Sequence, residues 1–497
     1  MSRRLRSGAA KLMRATRRAL GHLPRAAWIC ALIACLNAVC WSLITPPFQA
    51  PDEPAHFAYV QQIAENGALP NSSRSDYSQE EGVALLDLRQ HEVRWHPEIE
   101  PVQSDAQQRH LEHQLAEPLD RSGAGGAGVA YNQPPLYYAL QTIPYALGSS
   151  GSLLDRLELM RLLSALMAGL TALFSYLFVR EALPRVPWAW TVGGLSAALA
   201  PLLGFMSGSV NPDAMLYSVS AATFYLLARA FRRGLTMNLA IAIGVASAGG
   251  LLTKLNYIGL IPGVIIGLLV LAVRAPKDSR RRAYGFPALA LAIAMSPAAV
   301  YILVNLFSNH PGLGVVSSAI HLTNGRILRE ASYIWQFYLP RLPGMAHDFA
   351  GISPIRQIWF DRSVGLYGWL DTSFPVWVDN VALIPAVALA LLAIRALISL
   401  RATLRRRLGE LGVYAAMAVG LMILIGADSY LGFPKQGGTY AEPRYLLPLL
   451  PLLAAGLVLS ARGAGRRWGP AAGVLIVVLI FSQDIFSQLQ VIARFYA

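Results

Sequence analysis

Long apolar runs separated by short basic segments dominate this chain. The first covers residues 26–45, and a hydrophilic stretch then extends to about residue 155. Three more apolar runs occupy about 157–179, 186–206 and 213–230. The block 237–273 is long enough for two, broken near Lys254-Leu255-Asn256, and another run covers about 286–306. A second hydrophilic stretch reaches Trp377, and the last four runs occupy about 381–400, 411–427, 445–460 and 470–487. Each approaches the roughly 20 residues that a helix needs to cross a bilayer. The pattern therefore predicts an all-α polytopic membrane protein of about 11 spans with two long loops on one side. Its parts are a basic tail (1–25), a first span (26–45), a first long loop (46–156), spans two to seven (157–306), a second loop (307–378) and spans eight to eleven (379–497).

The basic residues orient these spans. With a cytoplasmic N-terminus, the inside segments are 1–25, 180–185, 229–233, 274–282, 395–407 and 462–467, and together they hold most of the 42 Lys and Arg. Short basic loops stay on the cytoplasmic side. Both long loops then face outward, and the first span serves as the anchor. No internal repeat is visible.

Composition agrees: 55% of the residues are hydrophobic and only 14% charged, against about 25% charged in soluble domains. A formal charge of +14 suggests nucleic acid only when the basic residues gather on one surface. Here they alternate with apolar spans, so no nucleic-acid partner is expected and the bilayer is. The three cysteines, Cys30, Cys35 and Cys40, all fall in the first span without a histidine. Their spacing supports neither a disulfide framework nor a zinc site. Leu32-Ile33-Ala34-Cys35 fits a lipoprotein cleavage box, but the apolar run continues to Ile44, which argues for a retained span.

Candidate chemistry concentrates at the outward ends of the spans. Asp52-Glu53 follows the first span within Pro51-Asp52-Glu53-Pro54-Ala55-His56. Carboxylates at a membrane exit are costly to bury and mark function. Pro54 suits a first helical turn that Asp52 or Glu53 would cap, so residues 54–65 are expected to form a short helix at the interface. Gly123-Ala124-Gly125-Gly126-Ala127-Gly128 fits GxGxxG, but no strand precedes it and no helix follows directly. It reads as a flexible linker. Asn132-Gln133-Pro134-Pro135-Leu136-Tyr137-Tyr138 opens an aromatic stretch to Leu147, too short to cross and suited to the interface.

Asn211-Pro212-Asp213 closes a short outer turn. Asp213 either serves as a favoured helix N-terminal residue or faces Asp52 across a shared cavity. Lys254, one of four lysines, lies at a span end, where it either snorkels or meets an acidic or anionic partner. The second loop carries His310, His321, His347, Asp348 and Asp361 without metal-ligand spacing, then Gly368-Trp369-Leu370-Asp371. Arg444 stands at the mouth of a descending span, either as an interfacial anchor or as a bidentate phosphate ligand.

Taken in order, these motifs resemble the GT-C class of membrane glycosyltransferases, and in particular the bacterial membrane family known as domain of unknown function 2142. The resemblance runs from the first span to Tyr445 and rests on Pro51–His56, Gln133–Tyr138, Asn211–Ala214, Leu252–Lys254, Gly368–Asp371 and Pro443–Pro448. Ala441-Glu442-Pro443 departs from it, where a glycine is expected before Arg444. The resemblance implies a polyprenyl-phosphate sugar donor, an acceptor on the extracytoplasmic side of a bacterial inner membrane, and an acidic base in the first loop.

The residues fit that chemistry. Asp52 is the candidate base, and Lys254 and Arg444 are candidates to stabilise the leaving phosphate. Glu53 and His56 would orient Asp52 or contact sugar, and Tyr137 would line the substrate site. Asp213 would bind the acceptor or share a Mg²⁺ or Mn²⁺ ion with Asp52. Two other classes compete: a flippase for lipid-linked sugars, which favours midplane polar residues and repeats, and a non-catalytic envelope scaffold. The charge pattern makes a direct prediction for topology. Alkaline phosphatase fused after Gln108 is expected to be active and after Gly234 inactive, with a fluorescent cytoplasmic reporter giving the reverse.

Overall fold

The computed structural model describes residues 23–99, 104–123, 125–275, 280–307, 327–349, 351–436 and 441–496. Among them the regular secondary structure is almost all helix. Helix α1 (Arg25–Ile44) is the first span, and α2 (Glu53–Asn66), α3 (Gln79–Asp87), α4 (Asp105–Ala116) and α5 (Leu136–Leu147) lie in the first loop. The spans resume with α6 (Leu153–Ala182), the bent pair α7 (Pro187–Ala198) and α8 (Pro201–Ser207), α9 (Asp213–Arg233), α10 (Met237–Thr253), α11 (Ile261–Val273) and α12 (Arg280–Phe307). After α13 (Ile327–Tyr338) and a two-stranded hairpin, β1 (Leu366–Tyr367) and β2 (Thr372–Ser373), come α14 (Val376–Ser399), α15 (Leu408–Gln436), α16 (Leu450–Gly463) and α17 (Gly469–Tyr496).

Nine helices among the described residues are long and apolar enough to cross a membrane, or ten if the bent pair counts as one span. The pair α7 and α8 turns through 51°, because Pro201 lacks the N–H that would continue the ladder. Helix α10 is apolar but only 17 residues long, and with it every expected span has a helical counterpart. The break foreseen near Lys254 is real. Lys254 is extended (φ −155°, ψ 138°), and the 3₁₀ turn Leu255–Leu260 leads into α11.

Helix α6 organises the bundle. Ser152 and Asp155 close a capping box at its start, and its 30 residues extend about 45 Å, more than a bilayer's apolar thickness. It packs along α1, where Gly169 lets the helices approach so closely that a Cβ there would sit 3.0 Å from the Ala31 carbonyl. At the end bearing Arg180, Glu181 takes ion pairs from Arg232 (2.7 Å) and Arg233 (3.0 Å), and Arg407 donates to the Ala182 carbonyl. The basic loops thus gather at one end of the bundle. The opposite end carries the first loop, and α17 returns to it, Arg494 donating to the carbonyls of Ile99 and His96.

The first loop is a folded cap. Helix α2 ends where Gly67 enters the left-handed region (φ 64°). Helix α5 lies against it, with the rings of Tyr59 and Tyr138 stacked at 3.8 Å. The glycine-rich segment is not the flexible linker its composition suggests. Gly126 forms a parallel bridge with Ser72, Asn71 N–H donates to the Gly125 carbonyl, and Gly128 N–H donates to Arg74. A Cβ at Gly126 would collide with the Arg74 carbonyl and lie 2.8 Å from Asp76 N, so glycine is needed for close approach rather than freedom. In the second loop the hairpin around Gly368 (φ 60°) and Leu370 (φ 66°) had no strand signature, being only two residues wide. Asp348 accepts from Gln336, and Asp361 pairs with Arg356. His310 and His321 lie outside the described residues.

Candidate functional site

The turn after α1 carries Asp52, and a buried ion pair shapes it. Glu53 and Arg161 are both fully buried, with Arg161 Nη2 2.6 Å and Nε 2.8 Å from the carboxylate oxygens. Glu53 also accepts from the backbone N–H of Phe48 (3.0 Å) and of Val210 (2.9 Å). Arg161 donates its remaining protons to the carbonyls of Ser42, Thr45 and Pro46 and to Glu158. These contacts hold Phe48 and Asp52 at φ 63° and 64°, a left-handed conformation that is costly for non-glycine residues. Asp52 stands at the start of α2 but makes no side-chain cap hydrogen bond. Its carboxylate instead faces out of the turn.

What it faces comes from the far end of the chain. Asp52 Oδ2 lies 3.1 Å from Arg444 Nη2. The same guanidinium is 3.0 Å from Glu442 Oε1 and 3.3 Å from the Tyr445 hydroxyl. A second pair sits beside it, Lys254 Nζ to Asp213 Oδ1 at 2.7 Å. The Tyr445 ring joins the two, its centroid 5.1 Å from the Arg444 guanidinium and 5.7 Å from Lys254 Nζ. Tyr217 fixes the Arg444 backbone by donating to its carbonyl. Asp213, at the start of α9, donates its backbone N–H to the side-chain oxygen of Asn211.

Accessibility grades across this cluster. The Asp52 side chain is 30% exposed, whereas Arg444 is 4% and Asp213 1% exposed. Two buried polar atoms, Arg444 Nε and Asp213 Oδ2, have no hydrogen-bond partner among the described residues. Burial of that kind costs free energy unless a ligand or water answers it. His56 shares a hydrogen bond of 2.9 Å with the Tyr138 hydroxyl. Burial, and then the charge of Lys254, hold its pKa well below the usual histidine value, so it is neutral at physiological pH. Burial pushes the Glu442 carboxyl up to about 7, against the pull of Arg444.

The structure therefore gathers Asp52, Asp213, Lys254 and Arg444, with His56 within their field. It sets two other candidate residues apart. Glu53, expected to orient Asp52 or contact sugar, has both oxygens committed to Arg161 and backbone N–H groups. Tyr137, taken as a substrate ligand, is fully buried with its hydroxyl on Ser164 and Gln141. Glu442 and Tyr445 join the cluster unannounced. The signal for Glu442 was present as an acidic residue two positions before Arg444, where glycine was expected. As to a metal, no group of three or more His, Cys, Asp or Glu among the described residues could hold an ion. Asp52 and Asp213 each already face a cation, so this donor set does not fit a resident Mg²⁺ or Mn²⁺.

Residues 35–453 match the family described as predicted membrane protein (DUF2142). No curated protein matches the sequence. Among solved structures, ArnT from Cupriavidus metallidurans in the apo state has a TM-score of 0.44 at 14% identity, covering 93% of this chain and 72% of that one. The same protein bound to undecaprenyl phosphate gives 0.39 at 12%, covering 95% and 76%. The apo oligosaccharyltransferase of Archaeoglobus fulgidus gives 0.43 at 12%, with 94% of this chain matched but only 56% of that one. Likenesses at this level assign no activity to this chain.

The Glu53–Arg161 pair makes a stability prediction. Arg161→Met leaves a buried carboxylate uncompensated and is expected to cost about 3–5 kcal/mol. The double variant Arg161→Met with Glu53→Gln recovers part of that loss. Thermal unfolding of the detergent-solubilised protein measures both.

Proposed function

The chain belongs to the DUF2142 family of predicted membrane proteins, and from that premise we propose that it is a membrane glycosyltransferase of the GT-C class. It moves a sugar from a polyprenyl-phosphate donor to an acceptor hydroxyl on the extracytoplasmic side of a bacterial inner membrane. The observation that carries this reading is the convergence of Asp52, Glu442 and Arg444 with the Lys254–Asp213 pair at one end of the bundle. These residues come from four segments far apart in sequence, and the one carboxylate among them with substantial exposure is Asp52.

In this mechanism Asp52 accepts the proton of the acceptor hydroxyl as its oxygen attacks the anomeric carbon. The bond from that carbon to the phosphate oxygen breaks, and its electron pair leaves on the polyprenyl phosphate. Arg444 meets the growing phosphate charge through donors it holds ready, including the unpartnered Nε, and Lys254 adds a second positive charge. Neither cation reorganises as the charge develops, because Tyr445 and Asp213 already hold them in place. Neutral His56 contributes a hydrogen bond rather than a charge. No step requires a metal ion.

Asp52→Asn is expected to lower transfer of labelled sugar from polyprenyl-phosphate donors by about 10²–10⁴-fold at matched expression. Unchanged transfer would remove Asp52 as the base. Glu442 supplies a pH test. It is neutral below about 7 and charged above, and once charged it competes with the donor phosphate for Arg444. kcat/KM for the donor is therefore expected to fall as pH rises through about 7. Glu442→Gln removes that limb of the profile.

A further inference from the structure

A second polar and aromatic site lies beside the Asp52 turn. A cavity of about 590 Å³ is lined by Trp95, Pro97, Trp369, Leu370, Asp371 and Ser373. Its size falls within the roughly 300–1,000 Å³ of small-molecule sites. The two indoles meet edge to face, with centroids 5.7 Å apart and planes at 87°. Trp95 is 52% exposed, whereas Trp369 is 8% exposed, so one ring offers a face and the other backs it. The Arg94 guanidinium lies within cation–π distance of both, 4.6 Å from the Trp95 centroid and 5.5 Å from that of Trp369.

The walls are fixed at a cost. Trp95 and Leu370 both stand at φ 66°, a strained left-handed conformation for residues of that size. Asp371 Oδ1 accepts from the Thr372 hydroxyl, and its buried Oδ2 has no partner among the described residues. A buried carboxylate oxygen left unanswered is expensive, and here it belongs to a cavity-lining residue. The turn around Pro97 is anchored by Arg494, which donates to the carbonyls of His96 and Ile99. On the opposite wall Trp369 Nε1 donates to the Phe48 carbonyl at 3.1 Å. Phe48 lies on the same Arg161-braced turn as Asp52.

A sugar ring is the ligand with matching chemistry. Its axial C–H bonds form an apolar face that stacks on the negative face of an indole, and its equatorial hydroxyls point sideways to donate to a carboxylate. A lipid tail would leave Asp371 unanswered, and a flat aromatic ligand would find only one exposed ring. We propose that the cavity lined by Trp95, Trp369 and Asp371 is a saccharide-binding subsite that holds the acceptor's sugar, with Trp95 as the stacking platform and Asp371 as the hydrogen-bond acceptor. The identity of the occupant as acceptor rests on the transferase reading above; saccharide binding does not.

The test is calorimetric titration of the detergent-solubilised full chain with cellohexaose, chitohexaose and mannohexaose. Wild type, Trp95→Ala, Trp95→Phe and Asp371→Asn are compared, each checked for an unaltered melting temperature. At least one hexasaccharide is expected to bind wild type and Trp95→Phe with similar Kd. Trp95→Ala and Asp371→Asn should bind it about tenfold more weakly. Equal affinity in Trp95→Ala and wild type, or no binding of any of the three by wild type, overturns the proposal. The two readings fail separately: saccharide binding that depends on Trp95, in a protein that transfers no sugar, would sink the transferase and keep the subsite.

Discussion

The pairing of Glu53 with Arg161 is the interaction on which the functional end of this protein depends. Two fully buried opposite charges are weak evidence for stability by themselves, because desolvation offsets most of their attraction. Their value here is positional. Arg161 satisfies all five of its N–H donors on Glu53, Glu158 and three carbonyls of the chain leaving α1. Glu53 answers with two backbone N–H groups, one from its own turn and one from the turn before α9. A single pair therefore ties α1, α2, α6 and the 207–212 turn together. It forces the left-handed backbone at Asp52 that aims the neighbouring carboxylate outward.

The charge cluster follows from that constraint. Once the Asp52 turn and the start of α9 share a brace, Asp52 and Asp213 open onto a common region. Each then needs a cation, and the spans supply them from opposite directions: Lys254 from the break between α10 and α11, and Arg444 from the 3₁₀ turn ahead of α16. The balance stays incomplete, with Arg444 Nε and Asp213 Oδ2 unanswered among the described residues. Incomplete pairing in a place where every other charge is matched is what separates a binding site from a structural ion network such as Glu181 with Arg232 and Arg233.

Much of this was legible beforehand because membrane crossing imposes a local rule. Length and apolarity of a run decide whether it spans, so the break at Lys254 and the short α2 helix could be read one segment at a time. Asp52, Asp213, Lys254 and Arg444 could be singled out for the same reason, since an ionisable residue at a span end is conspicuous. Local reading ran out where meaning depends on a distant partner. The run 123–128 has a linker's composition, yet its residues 125–128 pack against residues 71–76. Glu53 and Tyr137 carry functional groups of the right kind but spend them on Arg161 and on Ser164 with Gln141.

The sequence by itself determined the helical membrane architecture, the alternation of basic ends, and which ionisable residues would stand at the end opposite the basic loops. Those are properties of consecutive residues against a bilayer, and they need no partner to be defined. Only the tertiary structure decided which carboxylate would be buried and which would keep an exposed face. Asp52 and Glu53 are adjacent and chemically alike, and nothing local distinguishes them. Arg161, more than 100 positions away, takes one, and Arg444, nearly 400 away, is left to face the other. Charge pairing across such separations is set by how helices stack, because burial in a low-dielectric interior compels each charge to find whichever partner the packing brings within reach.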